Sequence, residues 1–160
     1  MTPLYVRDLF GDYVLAQSEL IIAEAKRRIA VKSRRGTALT SPNLAREAVQ
    51  LKLAEIEHEV FLCIQLDNQH RIIAFAELFR GTIDGASVYP REVVKAALAV
   101  NAAAFIFAHN HPSGLAQPSE ADRTLTQRLK MALNLVDIRV LDHFIVGADG
   151  VYSFAEHGLP

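Results

Sequence analysis

Apolar residues recur along this chain at two periods, and the switches between them mark out its elements. Over residues 12–32, Leu15, Ser18, Ile22, Ala25 and Ile29 fall on one stripe at helical spacing, with Lys26, Arg27 and Arg28 largely off it. That predicts an amphipathic helix whose stripe needs a partner. Residues 36–40 read as a linker, after which Ser41 and Pro42 offer an N-cap followed by proline at the first helical position. Two apolar stretches, 59–66 and 71–79, are joined by Asp67-Asn68-Gln69-His70 and predict a hairpin. A helix is expected from Pro90, and the unbroken apolar run 102–108 has the pattern of a buried strand. Ser119 then caps a helix carrying Leu125, Leu129 and Leu133, and the stretches 138–146 and 151–154 flank Gly147-Ala148-Asp149-Gly150 as a second hairpin. The order α-β-β-α-β-α-β-β predicts an α/β (α+β) fold with a mixed sheet between helices. The expected organisation is an N-terminal helical extension over 1–40 and one domain over 41–160.

Composition narrows the partners. With 160 residues, half of them hydrophobic, and a net charge of -1, the chain suits one domain with a real core and has no global electrostatic drive toward nucleic acid. The basic run from Lys26 to Arg35 reads as a solvated helix end rather than a DNA-binding arm. No membrane-spanning run and no secretory h-region are seen, so the expected location is cytoplasmic. The lone cysteine, Cys63, lies in an apolar strand and reads as core. Whether the stripe around Ile22 docks on its own domain or on a second copy is open, and a homodimer is one expectation.

The candidate chemistry lies just beyond the buried run. His109 and His111, two apart at a strand end, point to one side and can be bridged by one ion, with Asp122 in the first turn of the next helix as a third ligand. Two imidazoles and a carboxylate suit one Zn²⁺ per chain at about 2.0–2.2 Å, with a fourth position open for water as in catalytic sites. Asp122 has a second reading, as part of a capping box with Ser119. Glu77 interrupts a row formed by Ile73, Phe75 and Phe79, and either serves chemistry or pairs with Arg80 or Arg91. His143 is either a partner of the site or a satisfied interior histidine; Asn110 only separates the two ligands.

H-x-H, seven residues, Ser, two residues, Asp, met by His109, His111, Ser119 and Asp122, resembles the signature of JAMM/MPN+ metalloproteases. The wider sequence, from Gly81-Thr82-Ile83-Asp84-Gly85 through His109-Asn110-His111-Pro112-Ser113-Gly114 to Leu141-Asp142-His143, resembles the RadC branch over about residues 40–160. The resemblance implies an MPN (cytidine deaminase-like) fold with a curved mixed sheet, a short form without the helix-hairpin-helix region, and a zinc hydrolase acting on peptide or isopeptide bonds of a protein or peptide substrate. It implies an upstream glutamate, for which Glu77 is the candidate, as general base, and Ser119 as oxyanion donor. The competing implication is a zinc-stabilised protein- or DNA-interaction module linked to DNA maintenance. Deaminase and HExxH readings fail, because the chain has one cysteine and no His-Glu-x-x-His helix.

Overall fold

A computed structural model of the chain describes residues 4–7, 10–32, 35–53, 56–81 and 88–159. Two units are distinguished, Met1–Lys32 and Ser33–Pro160. In the first, strands β1 (Tyr5–Arg7) and β2 (Tyr13–Leu15) pair antiparallel and precede helix α1 (Ser18–Lys32). Residues 12–17, expected as helix, are therefore the strand Tyr13–Leu15 with irregular chain on either side. Tyr13, Val14 and Leu15 are a short run with a β-branched and an aromatic residue, paired in register with Leu15 on Tyr5, and the helix starts only at Ser18. Ile29 of the expected stripe has its side chain outside the described residues.

The second unit runs α2 (Pro42–Leu53), β3 (Val60–Leu66), β4 (Ile72–Arg80), α3 (Pro90–Ala99), β5 (Ala104–Asn110), α4 (Glu120–Asn134), β6 (Arg139–Gly147) and β7 (Gly150–Ser153). This is the order the sequence predicts. The sheet order is β4-β3-β5-β6-β7, antiparallel throughout except for the β5–β6 pair, whose parallel connection is made by α4. The central strands β3 and β5 are buried along their whole length, which is why both read as continuous apolar runs rather than alternations.

Alternation nevertheless sorts their side chains between two cores. Leu62, Ile64, Ile106, Ala108 and Phe144 pack with Val49 and Leu53 of α2. Phe61, Cys63, Phe105 and Phe107 pack on the other face with Val93 of α3 and Leu129 and Leu133 of α4. The β3–β5 ladder is regular from Phe61 opposite His109 to Leu66 opposite Ala104. The β3–β4 ladder has two irregularities: Phe79 faces Phe61 but Glu77 faces Leu62, and Ala74 faces Gln65 but Ile72 faces Leu66. Leu78 and Ile73 are the extra residues, and each bulge reverses the facing of the residues beyond it.

Candidate metal centre

The end of β5 carries the site. His109 is fully buried on the face shared with Phe61 and Phe107, and the Phe61 ring stacks against it with centroids 6.0 Å apart. His111, just past the strand, is held by a backbone bond from its N–H to the Val146 carbonyl on β6. Its Nε2 lies 2.9 Å from His109 Nε2. Asp122, in the first turn of α4 and 1% exposed, approaches both rings, with Oδ1 3.2 Å from His109 Nε2 and Oδ2 3.5 Å from His111 Nε2. The three expected ligands are thus brought together.

The two readings of Asp122 prove compatible, because a carboxylate has two oxygens. Ser119 N–H and Oγ–H donate to Oδ2 at 2.7 and 2.6 Å, and the Asp122 N–H donates back to Ser119 Oγ at 3.2 Å, a complete capping box. Burial favours the neutral acid, but the imidazoles of His109 and His111, whenever a proton sits on an Nε2 facing it, together with the Ser119 hydroxyl, outweigh burial and hold Asp122 well below the usual carboxylate range. The Ser119 hydroxyl hydrogen points at Asp122 in this arrangement.

Hydrogen-bond partners fix the tautomers of three imidazoles, those of His143, His109 and His111. Thr126 Oγ1–H donates to the Asp122 carbonyl at 2.6 Å, so toward His143 Nδ1, also at 2.6 Å, it accepts. His143 Nε2 then accepts from His109 Nδ1–H at 2.8 Å, and His109 Nε2 keeps a lone pair. His111 Nδ1–H donates to the Leu115 carbonyl at 2.8 Å, so its Nε2 keeps one too. Two lone pairs facing each other beside a buried carboxylate repel unless a positive charge joins them. The hydrogen bond to Asp122 accordingly pushes the His111 pKa up, so without a metal a proton is drawn there. Burial drives the His143 pKa well down, which keeps it a neutral relay. Donor types, tautomers and spacing fit a divalent metal bound by nitrogen and oxygen, with the far ring nitrogens anchored as metal-binding histidines require. His143 is therefore both of the things the sequence left open, an interior residue and a partner of the site.

The glutamate of the site is Glu59, which the sequence reading passed over. Its carboxylate lies with the ligating nitrogens of His109 and His111 in a group whose atoms are all within 4.8 Å of one another. Glu77 is not brought there. It faces Leu62 on the α2 side of the sheet, whereas His109 faces Phe61 on the other, and Arg80 Nε donates to it at 2.7 Å. That hydrogen bond holds the Glu77 pKa low, the reverse of a base tuned upward. The physical reason is the bulge at Leu78: Ile73 and Phe79 pack with the α3–α4 core while Phe75 packs with the α2 core, so the supposed common row does not exist. The signal for Glu59 was in the sequence as parity. Glu59, Phe61 and Cys63 alternate with Val60, Leu62 and Ile64, and the β3–β5 register continued by two residues sets Glu59 opposite His111.

Beside His111 a cleft of about 410 Å³ opens between Leu53, Ile56 and Glu57 on one side and Pro112, Gly114 and Ala148 on the other. Gly114, in the loop after the histidines, has φ +88°.

A family model described as the RadC-like JAB domain matches residues 39–159. The chain belongs to that family. The RadC-like JAB domain here is similar to a UPF0758 protein of Thioalkalivibrio sulfidiphilus, 56% identical over 149 residues, 93% of this chain and 66% of that protein. A UPF0758 protein of Stutzerimonas stutzeri is 55% identical over 148 residues, 92% and 66% of the two chains. One of Nitrosococcus oceani is 57% identical over 143 residues, 89% and 64%. The chain thus spans just under two thirds of the length of these relatives. The five-stranded mixed sheet with flanking helices is consistent with a JAB/MPN-like fold, and the family match suggests a JAMM-type metallohydrolase family. Residues 82–87, part of the stretch that carried the resemblance, lie outside the described residues. Among the described residues no helix is long and apolar enough to cross a membrane.

Proposed function

We propose that this RadC-like domain hydrolyses an amide, a peptide or isopeptide bond of a protein substrate, using one Zn²⁺ held by His109, His111 and Asp122. The observation that carries the reading is Glu59, a second carboxylate, whose oxygen lies within 4.8 Å of a nitrogen of each histidine. Zinc bound there supplies a Lewis acid that polarises a carbonyl and acidifies water. Glu59 takes a proton from the attacking water and returns it to the leaving amine. The anchored tautomers of His109 and His111 keep both ligating lone pairs aligned without reorganisation. Ser119 turns its hydroxyl hydrogen from Asp122 Oδ2 to the developing oxyanion, so it positions a ligand at rest and donates to substrate during turnover. The cleft beside His111 takes the chain on one side of the scissile bond.

The test is metal content by elemental analysis together with a screen for amide hydrolysis. About one zinc per wild-type chain, lost in His109→Ala and Asp122→Ala, is expected, with Glu59→Gln keeping zinc and losing hydrolysis. Folded wild type that takes up no zinc when it is supplied overturns the reading.

A further inference from the structure

Glu59 lies outside any regular element. β3 begins at Val60, and the four residues before it make no sheet ladder. Ile56 N–H reaches the Leu53 carbonyl and Gly81 N–H reaches the Glu59 carbonyl, but three further bonds to this segment come from one side chain, that of Asn110. Asn110 is 4% exposed and ends β5, between the two metal-binding histidines. Its Oδ1 accepts from Val60 N–H at 2.8 Å, and its Nδ2 donates to the carbonyls of Ile56 at 2.9 Å and His58 at 2.8 Å. The amide's acceptor and both its donors are thereby used, on backbone groups on either side of Glu59.

Strand alternation explains why this residue and not another does so. His109 and His111 face the α3–α4 side, so the residue between them must face the α2 side, where the approach to β3 passes. We infer that Asn110 is a positioning residue for the base: its three hydrogen bonds set segment 56–60 so that the Glu59 carboxylate meets the His109–His111 pair. The motif His-Asn-His then couples metal and base within three consecutive residues, and Asn110 is no mere spacer. This inference rests on Glu59 acting as base. Asparagine suits the task where aspartate does not, since a carboxylate facing two carbonyl oxygens has no hydrogens to give them.

The test uses the full chain, loaded with Zn²⁺, as wild type, Asn110→Asp and Asn110→Ala, the second variant covering the case in which the first fails to fold. Zinc per chain, the crystallographic position of the Glu59 carboxylate, and kcat and KM on the best-cleaved member of a quenched-fluorescent peptide pool are measured. The expected result is unchanged zinc, Glu59 displaced from the histidine pair while His109 and His111 stay in place, and kcat lowered about 100-fold with KM within about twofold. Glu59 remaining in place in the folded variants, or a loss confined to KM, overturns the inference. Zinc loss from both variants overturns it as well, since Asn110 would then serve the ligands. If wild type cleaves no peptide, that failure falls on the hydrolase reading alone, and the position of Glu59 decides the role of Asn110 by itself.

Discussion

Each oxygen of the Asp122 carboxylate meets a different demand: Oδ1 is nearest His109, and Oδ2 takes both donors of the α4 cap. Ser119→Ala separates the two roles proposed for that serine. A fall in kcat of about 10²-fold with zinc retained is expected if it donates to the oxyanion; zinc loss instead marks it as a support for Asp122 alone. Thr126→Val removes the hydroxyl that orients His143, which in turn holds the His109 tautomer. Zinc affinity should drop about 10–100-fold in a competition titration against a chelator, the range for second partners of metal ligands. Glu77→Gln, by contrast, should leave hydrolysis within about twofold of wild type, because it breaks only a surface pair with Arg80. Cys63 is fully buried and burial pushes its thiol pKa well up, so iodoacetamide should label it only after unfolding.

At the scale of elements, the site depends on how closely the end of β6 packs under the loop after His111. A Cβ on Gly147 would sit 2.5 Å from the Gly114 carbonyl oxygen and 2.6 Å from Ala116 N. Gly147→Ala is therefore expected to destabilise the domain by about 1–3 kcal/mol, read by denaturant unfolding, and to weaken zinc binding by shifting the His111 loop. The elements themselves were legible from periodicity, because runs such as 102–108 and caps such as Ser119 are local signals. So were His109, His111 and Asp122, whose spacing is short. Glu59 was not, since it meets the histidines only through a pairing of residues about fifty positions apart, and the β4 bulges gave Glu77 a false alternation. The hairpin of β1 and β2 was missed because three-residue strands leave almost no period to read.

For the whole molecule, both hydrophobic cores lie within the unit Ser33–Pro160, and all site residues do too. A fragment covering that unit should unfold cooperatively and bind the same zinc per chain as the full chain. A fragment that fails to fold would show that the first 32 residues complete it. Removing zinc by chelation should lower the melting temperature, by an amount that grows with the zinc supplied in the reference sample: about 2.7 kcal/mol separates the two states at 100 times the dissociation constant. In the first unit Phe10, Tyr13 and Leu15 are exposed.

The two bulges of β4 also make this domain unequally tolerant of changes in chain length. Leu78 and Ile73 have no opposite number on β3, so deleting either one shortens β4 while restoring a regular ladder. Deleting Cys63 or Phe107 instead would turn Glu59 or the histidines to the wrong face, since the β3–β5 ladder has no slack. Single-codon deletions should thus be survivable at Ile73 and Leu78 of the edge strand β4 and lethal to metal binding within the central strands β3 and β5.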